Sequence, residues 1–153
     1  MVSRMSIAHD RRIPFCQIEL NFDGYMGKEK FVMEFVLHSC SHSVLWTAIS
    51  TASGLGDWFA DDVKLKDEKW IFVWDGVAQE ATRLSCRDKQ LVKFRWSGDA
   101  TDCYFEFRIN EDPLTGNVTL VITDFAEEAD LEDARLLWEE QVRVLGLQLG
   151  IRI

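Results

Sequence analysis

The sequence predicts an α+β fold in which a curved antiparallel sheet wraps around one long C-terminal helix, with two short helices after the first strand. Three observations carry that expectation. Apolar and polar residues alternate with period two from Glu29 to Leu37, and again through most of residues 69–123. Between these stretches lies a segment with capping serines, large aromatics and the Gly54-Leu55-Gly56 turn. From Leu131 onward, apolar residues recur at spacings of three and four.

Each element follows in order. Phe31, Met33, Phe35 and Leu37 alternate with Val32, Glu34 and Val36, which predicts a strand with one buried face. Ser41 or Ser43 offers an N-cap for a helix over 44–50, and Thr51-Ala52-Ser53-Gly54 ends it before a second short helix near 55–59. Trp70, Phe72 and Trp74 share one side of the next strand, Asp75-Gly76 turns, and a strand over 77–85 follows. After the Arg87-Asp88-Lys89 turn, Val92, Phe94 and Trp96 alternate with Leu91, Lys93 and Arg95. Phe105, Phe107 and Ile109 then alternate with Tyr104, Glu106 and Arg108. The turn at 112–117 leads into a last strand over 118–123. Lys93, Arg95, Glu106 and Arg108 read as a solvated convex face, which leaves the aromatics facing inward.

The acidic run Glu127, Glu128, Asp130, Glu132 and Asp133 suits a helix N-terminus, with Asp130 as N-cap. The helix continues to about Leu149 on an apolar stripe of Leu131, Ala134, Leu137, Trp138, Val142, Leu145 and Leu149. Residues 1–27 read differently, as a flexible N-terminal extension that a domain over 28–153 does not need. Met26-Gly27-Lys28 resembles a natural start.

Composition narrows the function. At 153 residues the chain fits one domain with a sizeable core. A net charge of −9 argues against nucleic acid and anionic membrane, which both require a positive patch. Cys16, Cys40, Cys86 and Cys103 lack paired spacing and read as reduced thiols of a cytoplasmic protein. No run of about 20 apolar residues suggests a membrane span, and residues 1–12 lack a signal-peptide core. Six Trp and ten Phe exceed what a sheet of this size needs.

The element order is that of the helix-grip fold, and the residues agree. Leu45-Trp46, Gly54-Leu55-Gly56-Asp57-Trp58-Phe59, Phe94-Arg95-Trp96, Tyr104-Phe105-Glu106-Phe107, residues 120–125 ending in Asp124-Phe125, and Leu137-Trp138-Glu139-Glu140-Gln141-Val142 together resemble the START-like superfamily of polyketide cyclases and lipid-transport proteins. Within it, the chain is most similar to bacterial homologues of the C-terminal domain of the heat-shock-protein-90 ATPase activator. It departs from that pattern in lacking a glycine-rich, proline-containing strand pair. The resemblance covers about residues 28–150 and implies a ligand cavity between sheet and C-terminal helix. It also implies that Trp46 packs its helix while Trp58 lies nearer the cavity mouth.

Two readings of the aromatics therefore stand together. Trp58, Phe59, Trp70, Phe72, Trp74, Phe94, Trp96, Phe105, Phe107 and Trp138 either contact a small hydrophobic or aromatic ligand or form a solid core. His38, Cys40 and His42 fall across a strand end and a cap, without third and fourth ligands, so no metal and no cofactor is expected. Asp61-Asp62, Glu111-Asp112 and Glu127-Glu128 sit at element boundaries where acids are ordinary. No nucleophile has a base beside it, and Tyr104 and Arg108 alternate outward. Gly54-Leu55-Gly56 follows a helix and lacks a third glycine, so it is no dinucleotide fingerprint. The leading expectation is a non-catalytic module binding a small apolar ligand. Behind it stand a chaperone-type interaction protein using the acidic run, and a cyclase-like or hydrolase-like enzyme; the sequence leaves oligomeric state open.

Overall fold

The computed structural model describes residues 27–100 and 102–153. The expected extension over 1–27 lies, but for Gly27, outside the described residues. Seven antiparallel strands form one sheet: β1 (Glu29–Leu37), β2 (Asp62–Lys66), β3 (Lys69–Trp74), β4 (Val77–Arg87), β5 (Leu91–Trp96), β6 (Phe105–Glu111) and β7 (Val118–Ala126). Their order is β1-β7-β6-β5-β4-β3-β2, so β1 and β2 are the edges. Helices α1 (His42–Ser50) and α2 (Ala52–Trp58) follow β1, and α3 (Leu131–Leu149) closes the chain after a 3₁₀ turn at Glu128–Asp130. This is the α+β helix-grip arrangement expected.

Local chemistry explains the boundaries. Ser41 Oγ accepts from Val44 N at 3.1 Å and starts α1 two residues earlier than the sequence suggested. Thr51 caps α2 in the same way, its Oγ1 accepting from Gly54 N at 2.9 Å, so α2 also begins early. Asp130 holds the N-cap position of α3, yet its side chain makes no capping bond. Instead the 3₁₀ turn leads into the helix, and Glu132 and Asp133 complement its dipole. Gly150, at φ 68°, terminates α3, and Ile151 N donates to Gly146 O at 3.0 Å.

One element was missed from sequence. β2 pairs with β3 from Asp62↔Val73 to Lys66↔Lys69, in a stretch to which the sequence pattern assigns no element. The hairpin turn is made by Asp67 and Glu68, both left-handed at φ 52° and 69° without glycine. Only Val63 of β2 is buried. Elsewhere β4 runs two residues further than expected and carries a bulge between Arg83 and Ser85, while β6 and β7 extend to Glu111 and Ala126. Lys93 does lie opposite Glu106 on the outer face, but Glu106 is buried rather than solvated, and it accepts from Arg108 at 3.0 Å.

Candidate functional site

The inner face of the sheet presents the aromatic set to α3, and α1 and α2 close one end. All ten expected site residues are buried: Trp58, Phe59, Trp70, Phe72, Trp74, Phe94, Trp96, Phe105, Phe107 and Trp138. They touch one another directly. Phe59, just past the end of α2, meets six other rings, those of Trp58, Phe72, Trp74, Phe105, Phe107 and Trp138, with centroids 5.3–5.7 Å apart. Trp138 brings α3 into the cluster, stacked on Phe59 with an interplanar angle of 9°. Toward the other end, Phe105 stacks on Trp96 at 4.8 Å and on Phe94 at 5.2 Å. These spacings are those of aromatic rings in contact.

Three indole nitrogens of the cluster and the Phe59 carbonyl are hydrogen-bonded. Trp58 Nε1 donates to Ala48 O at 2.9 Å, tying α2 to α1. The Phe59 carbonyl accepts from Trp74 Nε1 at 2.9 Å and from Gln141 Nε2 at 3.0 Å. Trp138 Nε1 donates to Asp124 Oδ2 at 3.0 Å, which fixes α3 to β7. Asp124 is fully enclosed, and burial pushes its carboxyl up to about 7 against the favourable bonds from Phe125 N and Trp138. The Lys28–Asp99 pair, 3.6 Å apart, acts on it with opposing charges.

A groove of about 380 Å³ opens on the far side of Trp58, between α1, α2 and α3. Val44, Ala48, Trp58, Leu145 and Leu149 give it an apolar floor, and Ser43, Thr47, Ser53, Asp57 and Gln148 supply polar groups. Gly54 makes the closeness of α1 and α2 attainable: a Cβ there would lie 2.2 Å from Thr47 O and 2.8 Å from Ala48 Cα. Of the ten expected contacts, Trp58 is the one that lines this groove. Sequence reasoning missed the others, together with Asp124 and Gln141. The available signal for Gln141 was its position three residues after Trp138 on the same helix face.

Other residues singled out in the sequence lie around this site. His42 Nε2 lies 2.7 Å from Lys89 O and Nδ1 lies 3.0 Å from Glu111 Oε1. The ring thus braces α1 against the β4–β5 turn and the end of β6, and the Glu111 bond, followed by the Lys89 bond, raises its pKa. No metal-binding cluster occurs among the described residues, and Cys40 and Cys86 are free thiols. Tyr104 and Arg108 face outward: Lys93 Nζ sits 4.3 Å above the Tyr104 ring, and Arg108 holds Glu106. No described helix is long and apolar enough to cross a membrane.

Comparison with known proteins places this architecture. A family model described as a START-like superfamily domain matches residues 25–151. A Bacteroides fragilis protein solved by NMR in solution is 35% identical, with a TM-score of 0.60 over 82% of this chain and 93% of that one. The Aha1 dimer from Colwellia psychrerythraea superposes with a TM-score of 0.65 at 14% identity, covering 79% of this chain and 96% of that one. CalU16 from Micromonospora echinospora gives 0.62 at 18% identity, covering 78% and 75%. The last two are likenesses of fold alone. No curated protein matches the chain. The chain belongs to the START-like superfamily.

Proposed function

We propose that this START-like domain is a non-catalytic binding module that holds a small hydrophobic or aromatic molecule in the groove between α1, α2 and α3. One observation carries the reading: a concave site of about 380 Å³ with an apolar floor and a few polar groups at its margin. Sites of roughly 300–1,000 Å³ with that division of lining are typical for small ligands. The superfamily favours such a role, and the touching rings beneath the groove make its floor firm. Val44 and Leu149 offer aliphatic surface, Trp58 and Leu145 lie buried directly beneath it, and Asp57 and Gln148 orient polar atoms of the ligand.

The test is displacement of 1-anilinonaphthalene-8-sulfonate by saturated fatty acids and planar aromatic acids, in the parent protein and in Thr47→Phe. Thr47 is exposed on the groove wall, so the larger side chain occupies the groove without entering the core. Saturable binding weakened at least tenfold in Thr47→Phe, with an unchanged melting temperature, supports the reading. Absence of probe binding, or equal binding by both proteins, overturns it.

A second reading rests on the acidic run before and within the first turn of α3, where Glu128 and Glu132 are exposed. It makes the domain an interaction module for a basic protein surface, with salt-sensitive association. Retention of partner binding after charge reversal at Glu128 and Asp130 refutes it.

A further inference from the structure

The two edges of the sheet are built differently. β2 is five residues long, carries Lys64 and Lys66, and pairs Lys64 with Asp62 at 3.6 Å. Short, charged strands of this kind resist further pairing. β1 is nine residues long and bonds to β7 on one side from Glu29↔Ala126 to Leu37↔Val118. Its other side meets no strand among the described residues. Val32 and Val36 stand 44% and 43% exposed on its outer face. On the inner side of the same edge, Phe35, Val142, Gly146, Leu147, Ile151 and Ile153, together with Glu139 and Arg143, line a groove of about 360 Å³, in which Leu147 is 69% and Ile153 47% exposed.

We propose that β1 pairs antiparallel with β1 of a second copy of this chain, about a two-fold axis at Val32, joining two sheets into one. The charge pattern of the strand selects both the occupant and the register. Lys30 and Glu34 are exposed, carry opposite charge and lie two residues on either side of Val32. Four residues apart along one strand, they are separated by about 13 Å and cannot pair within a protomer. Two-fold pairing centred on Val32 sets each Lys30 opposite Glu34 of the other copy, twice over, with Val32 on Val32 and Phe31 opposite Met33. A shift to a centre at Met33 sets Glu34 against Val32 and Lys30 against Val36. A centre at Glu34 sets two carboxylates face to face, which is destabilising. The pairing keeps outer faces on one side of the joined sheet, because partner residues share parity. It also brings the second copy over the groove beside Phe35. An isologous contact of this kind closes on itself as a dimer.

Sedimentation equilibrium on the full chain tests the proposal. The expected mass is twice 17.7 kDa, with a dissociation constant raised at least tenfold by Glu34→Lys. The double exchange Lys30→Glu with Glu34→Lys restores the dimer, because it recreates the opposed pairs in the same register. Val32→Cys supplies an independent reading. Facing residues at the axis have Cα atoms about 4.5–5.5 Å apart, within disulfide reach. Mild oxidation is therefore expected to cross-link Val32→Cys into a covalent dimer, under conditions that leave the parent protein uncross-linked. A monomeric mass at all concentrations, a dimer indifferent to Glu34→Lys, or a monomer that captures an unrelated extended peptide overturns the proposal.

Discussion

Replacing Phe59 by alanine decides whether the aromatic interior is packed or open. Phe59 is 3% exposed and meets six rings at centroid distances of 5.3–5.7 Å. Truncating a buried phenylalanine costs about 3–5 kcal/mol, from lost transfer energy and the void left behind. Aromatic pairs add about 0.5–1.5 kcal/mol each beyond area, though six pairs sharing one ring do not add independently. The upper part of the range, about 4–5 kcal/mol, is therefore expected. For a chain of this length, 1 kcal/mol shifts the melting temperature by about 2–4 °C, which gives a drop of about 8–20 °C. Urea unfolding followed by both tryptophan emission and far-ultraviolet dichroism measures the loss. Phe59→Leu, which keeps most of the volume, is expected to lose less than half as much. A Phe59→Ala loss below about 1 kcal/mol refutes the reasoning, because only rings already bordering empty space relax so cheaply.

Gly54→Ala is expected to lose about 2–3 kcal/mol, since its Cβ would meet backbone atoms of α1 that cannot move aside. Gly56→Ala is the matched control: its nearest neighbour is Val63 N at 3.7 Å, so chemical denaturation is expected to show it neutral or slightly stabilised. Asp124 predicts a pH dependence. Its carboxyl is raised by burial from 3.8 to about 7, so the folded state keeps a proton that the unfolded chain releases, and stability falls as pH rises across that window. About three pH units correspond to roughly 4 kcal/mol, and Asp124→Asn is expected to flatten the decline between pH 4.5 and 6 in thermal melts. An unchanged slope counts against Asp124 as its source. His42 adds a smaller decline at higher pH. Both ring nitrogens face acceptors, so the charged ring is favoured, and its stabilisation is present below pH 6.5 and lost as pH rises through the raised folded value. His42→Gln is expected to remove that decline, read as the melting temperature between pH 6 and 8.5.

Period-two alternation placed the seven strand-borne rings on the inner face as a set, because which side of a strand a residue occupies is a local property. How closely those rings approach is not local. The contact between Phe59 and Trp138 joins residues 79 positions apart through the curvature of the sheet and the path of α3. The groove was illegible for the same reason, since Ser43, Thr47, Ser53 and Gln148 meet only through the crossing of three helices. β2 escaped notice because an edge strand with one buried residue carries almost no alternation, and its turn uses Asp67 and Glu68 where glycine is the usual signal. Asp124 was visible as the end of a strand, but its enclosure beneath Trp138 depends on where the helix lands.

The bonding at the end of α2 bears on where the proposed ligand would sit. For a molecule to enter between sheet and α3, Phe59 must leave six neighbours, and its carbonyl must release both Trp74 Nε1 and Gln141 Nε2. Each buried hydrogen bond contributes about 0.5–1.5 kcal/mol net, and an abandoned buried donor costs more. Trp58, bonded to Ala48 O, anchors the start of the same turn to α1. Entry by parting the rings therefore spends several kcal/mol before any contact with ligand forms, a penalty that lowers affinity by the same amount. The groove on the outer side of Trp58 carries no such penalty, because its floor is already in place. The aromatic density that suggests an internal cavity thus favours a surface site: the rings hold α2 rigidly enough for its outer face, with α1 and α3, to be a preformed wall.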